Sequence, residues 1–193
     1  MTDCPPADLP DAPDPLWIFG YGSLIWDPGF APVERVRARL GGWHRSFCLS
    51  SWVHRGRPEV PGLVLALDAA PEGSCAGVAF RAPADQAPAI LTELRARELV
   101  TSAYLERWLP VTLEDGRVVT AVTYVIDPDH EQYAGGLSPA AQAAIIARAV
   151  GGRGPNADYL FNTAAHLAEL GLPDPEMEAL AEAVRMLRAA APD

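Results

Sequence analysis

The chain is short of positive charge. Its 15 Lys and Arg residues face 25 Asp and Glu, for a net charge of −10 at pH 7. That balance argues against a nucleic-acid partner, whose affinity rests on basic side chains neutralising phosphates. Cysteine is scarce too. Cys4, Cys48 and Cys75 form no even disulfide framework and fit no zinc spacing, so a reducing, cytoplasmic setting is the simplest expectation. His44, His54, His130 and His166 are scattered, with no pair at ligand spacing, and neither a metal nor a cofactor is expected. No apolar run reaches membrane-spanning length, so no membrane role is expected. The N-terminus lacks the basic region and apolar core of a signal peptide.

What is present is a globular composition: 193 residues, 49% of them hydrophobic, enough for one well-buried core. Residues 1–15 are acidic and proline-rich and read as a flexible tail. Residues 16–193 read as a single domain.

The chain is organised around residues 17–26, WIFGYGSLIW. A short apolar strand runs into a turn at Gly20 and Gly22, followed by the hydroxyl of Ser23. Glycine lets backbone amides approach a ligand without an intervening side chain. Successive N–H groups in such a turn attract an anion or a polarised carbonyl. A dinucleotide fingerprint is excluded, because Ile25 stands at the third glycine position and Pro28 follows where a helix should start. A nucleophile elbow is excluded because no glycine lies two residues beyond Ser23. Two readings stay open: a substrate cradle, or a plain strand-to-loop turn.

Short strands are expected next, over residues 33–40, 43–49, 63–67 and 77–80, with a hairpin turn at 68–73. Residues 51–61 form a polar loop carrying His54, Arg55 and Arg57. The first convincing helix spans 83–100, with Pro88 in its first turn. Leu91, Leu94 and Glu98 share one stripe of it, while Arg97 points elsewhere. Residues 104–113 and 117–126 read as a hairpin across Glu114-Asp115-Gly116. The last third is helical, with helices over 139–150, from about 156 to 170, and from 175 to about 190. Asn156 or Asp158 is expected to cap the second of these. The pattern is α+β, six or seven mostly antiparallel strands in a curled sheet or small barrel, with a helical C-terminal segment.

Glu98 is the sharpest chemical signal. A carboxylate on an apolar stripe must be paired, protonated or functional. Desolvation raises its pKa, as a general base near neutrality requires. The alternative is a structural ion pair with Arg45, Arg95 or another inward arginine. Tyr104 and Tyr159 are candidate substrate contacts or core tyrosines. Arg55 and Arg57 could clamp a carboxylate or stand solvated. The Gly151–Gly154 run could hold phosphate or merely stop a helix.

From residue 16 to about 187 the chain resembles the ChaC-like γ-glutamylcyclotransferases. The resemblance rests on FGYGSLIW (Phe19 to Trp26), GWHRSF (Gly42 to Phe47), Arg55-Gly56 leading to Pro61-Gly62, Arg97-Glu98 followed by Tyr104, and NADYL (Asn156 to Leu160). It implies a γ-glutamylcyclotransferase-like fold, a small mixed barrel flanked by helices. It implies cleavage of glutathione to 5-oxoproline and cysteinylglycine, with the backbone at Tyr21, Gly22, Ser23 and Leu24 holding the γ-glutamyl group and Glu98 as the catalytic carboxylate. Arg55, Tyr104 and Tyr159 complete the expected substrate contacts. The small-molecule substrate is the expected partner, and the chain is expected to be a monomer or a homodimer. Two alternatives are the same chemistry on another γ-glutamyl amino acid or amine, and a non-catalytic γ-glutamyl-binding regulator. One departure stands out: some relatives carry two glycines where this chain has Ser102 and Ala103.

Overall fold

The first strand, β1 (Trp17–Gly20), is buried on both faces. Trp17, Phe19 and the following Tyr21 pack with Leu40, Leu67, Val111 and Val125. Leu16 and Ile18 point the other way, onto Ile90, Leu91 and Leu94 of helix α1 (Ala87–Glu98) and onto Tyr124. A strand covered on both sides reads as an unbroken apolar run rather than an alternation. The computed structural model describes residues 10–190, and residues 1–9 of the expected tail lie outside them. Where the described chain begins, the Pro10 carbonyl accepts a hydrogen bond from Arg95 Nη2 at 2.7 Å.

The chain divides into two compact units. One holds the described residues up to Arg45 together with Leu67–His130; the other holds Ser46–Ala66 and the described residues from Glu131 onward. The strands β2 (Glu34–Ser51) and β3 (Gly62–Arg81) contribute to both.

In the first unit, β1, β3, β2, β4 (Tyr104–Leu113) and β5 (Val118–Ile126) form a closed barrel in that order, with β3 also meeting β5. β1 lies antiparallel to β3 and parallel to β5, so the sheet is mixed as expected. β4 and β5 make the expected hairpin, with Trp108 opposite Val122. Gly116 turns it at φ 89°, a conformation that favours glycine. The architecture is the expected α+β class, a small mixed barrel with helices and a helical C-terminal segment.

Two strand boundaries differ from expectation. Residues 33–40 and 43–49 belong to one continuous strand, β2. Gly41-Gly42 resembles a break in sequence, but Gly42 takes φ 81° inside the strand, as a bulge position does. Residues 68–73 form no hairpin turn either, because β3 runs through them. Their turn-like composition reflects exposure: Ala69, Pro71 and Glu72 face solvent, where a strand tolerates proline. Helix α1 starts at Ala87 rather than at 83, after a turn in which the Gln86 N–H bonds the Pro83 carbonyl at 3.1 Å.

The second unit carries the helices α2 (Pro139–Arg148), α3 (Asn156–Glu169) and α4 (Pro175–Ala190). Ser138 caps α2 by accepting the Ala141 N–H at 3.2 Å. The expected cap on α3 is absent. Asn156 is instead its first residue, wholly buried, and its amide bonds Leu63 of β3 twice. Oδ1 accepts the Leu63 N–H at 2.6 Å, and Nδ2 donates to the Leu63 carbonyl at 2.7 Å. An asparagine amide offers the donor and acceptor that a neighbouring strand would. Asp158 lies 3.7 Å from Arg188 in a surface ion pair. The glycine run forms a two-residue ribbon, β6 (Val150–Gly151) with β7 (Gly154–Pro155). A Cβ on Gly56 would stand 2.0 Å from the Gly62 nitrogen, and one on Gly151 2.4 Å from the Gly56 nitrogen. These close approaches account for glycine after Arg55 and after Val150.

Cys48 and Cys75 are both buried and unbridged. No helix among the described residues is long and apolar enough to cross a membrane.

Candidate active site

The turn after β1 is built by tight packing on one side and open space on the other. A Cβ on Gly20 would meet the Leu24 Cβ at 3.1 Å and the Phe80 ring at 3.2 Å, whereas one on Gly22 would have no atom within 4 Å. The space beside Gly22 is therefore open. Ser23–Ile25 form a single 3₁₀ turn. The N–H groups of Ile25 and Asp27 bond the carbonyls of Gly22 and Ser23, each at 2.9 Å. The amides of Ser23 and Leu24 stand at the start of this turn, where the first N–H groups have no partner within the helical turn itself.

The buried side chain of Arg45 holds the turn from behind. Its Nε donates to the Tyr21 carbonyl and its Nη2 to the Ala76 carbonyl, both at 2.6 Å. Thr123 Oγ1 donates to the Phe19 carbonyl at 3.0 Å. Both clamps were missed in sequence, because neither residue type signals backbone bracing by its spacing.

Glu98 closes helix α1. Leu91 and Leu94 on its stripe are buried, as the periodicity requires, and the Glu98 side chain is 18% exposed. Burial pushes its carboxyl above the ordinary carboxylate range, and the Arg97 guanidinium pulls the other way. The arginine that meets it is neither Arg45 nor Arg95. Arg97 Nε lies 3.2 Å from Glu98 Oε1, although helical spacing alone turned that side chain away. Arg97 also donates to Ser23 Oγ at 3.1 Å and to the Asp27 carbonyl at 2.8 Å. Cradle and carboxylate thus lie side by side, bridged by one guanidinium.

Another buried carboxylate went unnoticed in sequence and shows the contrast. Glu106, with a side chain 1% exposed, takes a two-pronged pair from Arg95 at 2.8 and 2.7 Å and a bond from Trp108 Nε1 at 3.2 Å. Its charge is fully answered, as a structural ion pair demands. Near both carboxylates the hydroxyl of Tyr124 is buried and makes no hydrogen bond among the described residues. Burial, then the charges of Glu106 and Glu98, hold that phenol protonated.

Tyr104 opens β4, half-buried against the cluster containing Leu94 and Tyr124. In the second unit, Arg55 stacks over the Tyr159 ring at 5.1 Å, and Phe47 meets the same ring edge-on at 5.9 Å. Arg55 Nη1 donates to the Arg153 carbonyl at 2.6 Å. The structure therefore brings Tyr21, Gly22, Ser23, Leu24 and Glu98 together in one unit, and Arg55 with Tyr159 in the other. Among the described residues no group of His, Cys, Asp and Glu is arranged to hold a metal ion.

The glutathione-specific γ-glutamylcyclotransferase of Escherichia coli is 40% identical over 185 residues, covering 95% of this chain and 79% of that one. γ-Glutamylcyclotransferase 2-3 of Arabidopsis thaliana is 37% identical over 176 residues, 88% of each chain. A crystal structure of a yeast γ-glutamyl cyclotransferase specific to glutathione superposes with a TM-score of 0.79 at 26% identity, over 90% of this chain and 99% of that one. The family described as ChaC-like protein matches residues 16–187. The chain belongs to the ChaC-like family.

Proposed function

We propose that this protein is a glutathione-specific γ-glutamylcyclotransferase, which converts glutathione to 5-oxoproline and cysteinylglycine. The names of its relatives support the substrate. The observation that carries the chemistry is Glu98: a mostly buried carboxylate with a raised proton affinity, bridged through Arg97 to the turn that follows β1.

The substrate supplies its own nucleophile. A free α-amino group has a pKa of about 8, so near pH 7 it is mostly ammonium and cannot attack. Glu98 takes one ammonium proton. The amine nitrogen then bonds the γ-carbonyl carbon, closing a five-membered lactam, and the carbonyl oxygen becomes an oxyanion. The amides of Ser23 and Leu24 hold that oxyanion. Glu98 gives its proton to the cysteinyl nitrogen as the oxyanion re-forms the carbonyl and the old C–N bond breaks; the carboxylate then takes the second proton from the lactam nitrogen and passes it to the amine of the departing cysteinylglycine. No water is consumed. Holding the flexible glutamyl chain folded for attack is itself a large part of the rate. Tyr21 and Gly22 shape the cradle, while Tyr104, Arg55 and Tyr159 are proposed substrate contacts. The proposed setting is the cytoplasm, where glutathione keeps thiols such as Cys48 and Cys75 reduced.

Product analysis with reduced glutathione tests the reading. Wild type should give equal amounts of 5-oxoproline and cysteinylglycine. Glu98→Gln should lose at least about 10³-fold, because one group serves both proton transfers. Ser23→Ala should only weaken turnover, since backbone amides act there. Product from glutathione at a near-native rate in Glu98→Gln would remove Glu98 from its role. No product from wild type on glutathione, but product from another γ-glutamyl compound, would move the substrate. Binding without any product would leave a regulator.

A further inference from the structure

We propose that Arg97 is a positioning residue, whose single guanidinium fixes the Glu98 carboxylate against the Ser23–Asp27 segment of the cradle. This inference rests on the role proposed for Glu98.

Three edges of one planar group meet three different acceptors. Nη2 donates to the Ser23 hydroxyl at 3.1 Å, Nη1 to the Asp27 carbonyl at 2.8 Å, and Nε faces Glu98 Oε1 at 3.2 Å. The Asp27 carboxylate adds a longer approach, 3.7 Å from Nη1. Arginine's fixed fork of donors suits this geometry, and a lysine ammonium cannot span it. The residue stands in the last turn of α1, where the helix end favours a cation. Cradle and carboxylate arrive from distant parts of the sequence, and Arg97 sets their separation directly.

The bridge also governs how Glu98 holds its proton. From its own helix comes Arg97, the cation that opposes the effect of burial. From β5 comes Tyr124, a neutral phenol. On β4, Glu106 has its charge engaged by Arg95. On the turn, Asp27 is paired with Arg97 itself. With Arg97 removed, burial acts on Glu98 without a compensating cation, and its proton affinity rises further. The Arg97 side chain is 34% exposed, so water screens its pull and the effect of burial on Glu98 leads.

The test is carboxyl ¹³C NMR of protein labelled at glutamate Cδ, titrated from pH 4 to 9, with the Glu98 resonance identified by its loss in Glu98→Gln. In Arg97→Met the Glu98 midpoint should move to higher pH by about one unit, the lower end for a partly exposed opposite charge. The acidic limb of kcat should move with it, and kcat should fall about 100-fold, as for a misplaced reacting group. Arg97→Lys should restore the midpoint but not the rate, because it returns the charge without the fork. An unmoved midpoint in folded Arg97→Met would overturn the inference. So would a full kcat in Arg97→Lys, and that variant decides alone should Arg97→Met fail to fold by circular dichroism. A wild type inactive on glutathione would sink the functional reading instead, while the midpoint still reports on the Arg97–Glu98 contact.

Discussion

Replacing Asn156 by alanine should be among the most damaging changes to the second unit. Its side chain is wholly buried and makes two short bonds to the backbone of Leu63, one as acceptor and one as donor. Alanine fills none of that role and leaves the Leu63 N–H and carbonyl buried without partners. Each such group costs about 1–3 kcal/mol, so the loss should total about 2–6 kcal/mol. Set against a whole-protein stability of about 5–15 kcal/mol, that approaches the limit of a folded protein. Urea unfolding at pH 7 is the assay, with a lowered midpoint and an unchanged slope expected. Asn156→Asp refines the argument. Its carboxylate can still accept the Leu63 N–H, but it faces the Leu63 carbonyl with a second acceptor. Only the protonated acid restores the donor, so the folded state raises the pKa of the new group. The stability it contributes is then present at low pH and lost as pH rises through that folded pKa. A loss below about 0.5 kcal/mol in Asn156→Ala, within the range of an ordinary surface substitution, would refute the reasoning.

The two buried carboxylates should answer neutralisation with opposite signs. Burial raises the Glu98 pKa, so its contribution to stability is full below the unfolded pKa and is lost as pH rises through the folded one. Glu98→Gln should therefore be more stable than wild type in urea at pH 8, with the two converging near pH 4. Glu106→Gln instead breaks the two-pronged pair with Arg95 and should cost about 2–4 kcal/mol in the same assay. Ser102, left-handed at φ 56°, occupies one of the two positions where some relatives have glycine. Ser102→Gly should raise stability by about 0.5–1 kcal/mol, seen as a higher melting temperature.

The parts legible in the sequence were those governed by short-range periodicity. The apolar run into Gly20 marked a strand covered on both faces, and the spacing of Leu91, Leu94 and Glu98 placed one carboxylate on a buried stripe. The β4–β5 hairpin followed from its Glu-Asp-Gly turn. What failed depended on partners remote in the chain. Gly41-Gly42 and residues 68–73 carry turn chemistry, yet barrel closure draws β2 and β3 through them. Asn156 looked like a helix cap because local pattern cannot reveal that Leu63 waits beside it. At the candidate site, helical spacing placed the backbone of Arg97 correctly. It said nothing of the long side chain, which turns back to Ser23 and Glu98.

The enclosure of Cys48 and Cys75 has a consequence for a protein proposed to handle a thiol tripeptide. Exchange between a thiol and a disulfide requires sulfur to meet sulfur, so its rate depends on access as well as on ionisation. Both thiols are buried, at 0% and 2% exposure, so a disulfide in solution does not reach either sulfur. Oxidised glutathione accumulating under stress would find neither sulfur to capture while the fold is intact. Mixed-disulfide formation at these two positions is thereby tied to unfolding rather than to turnover.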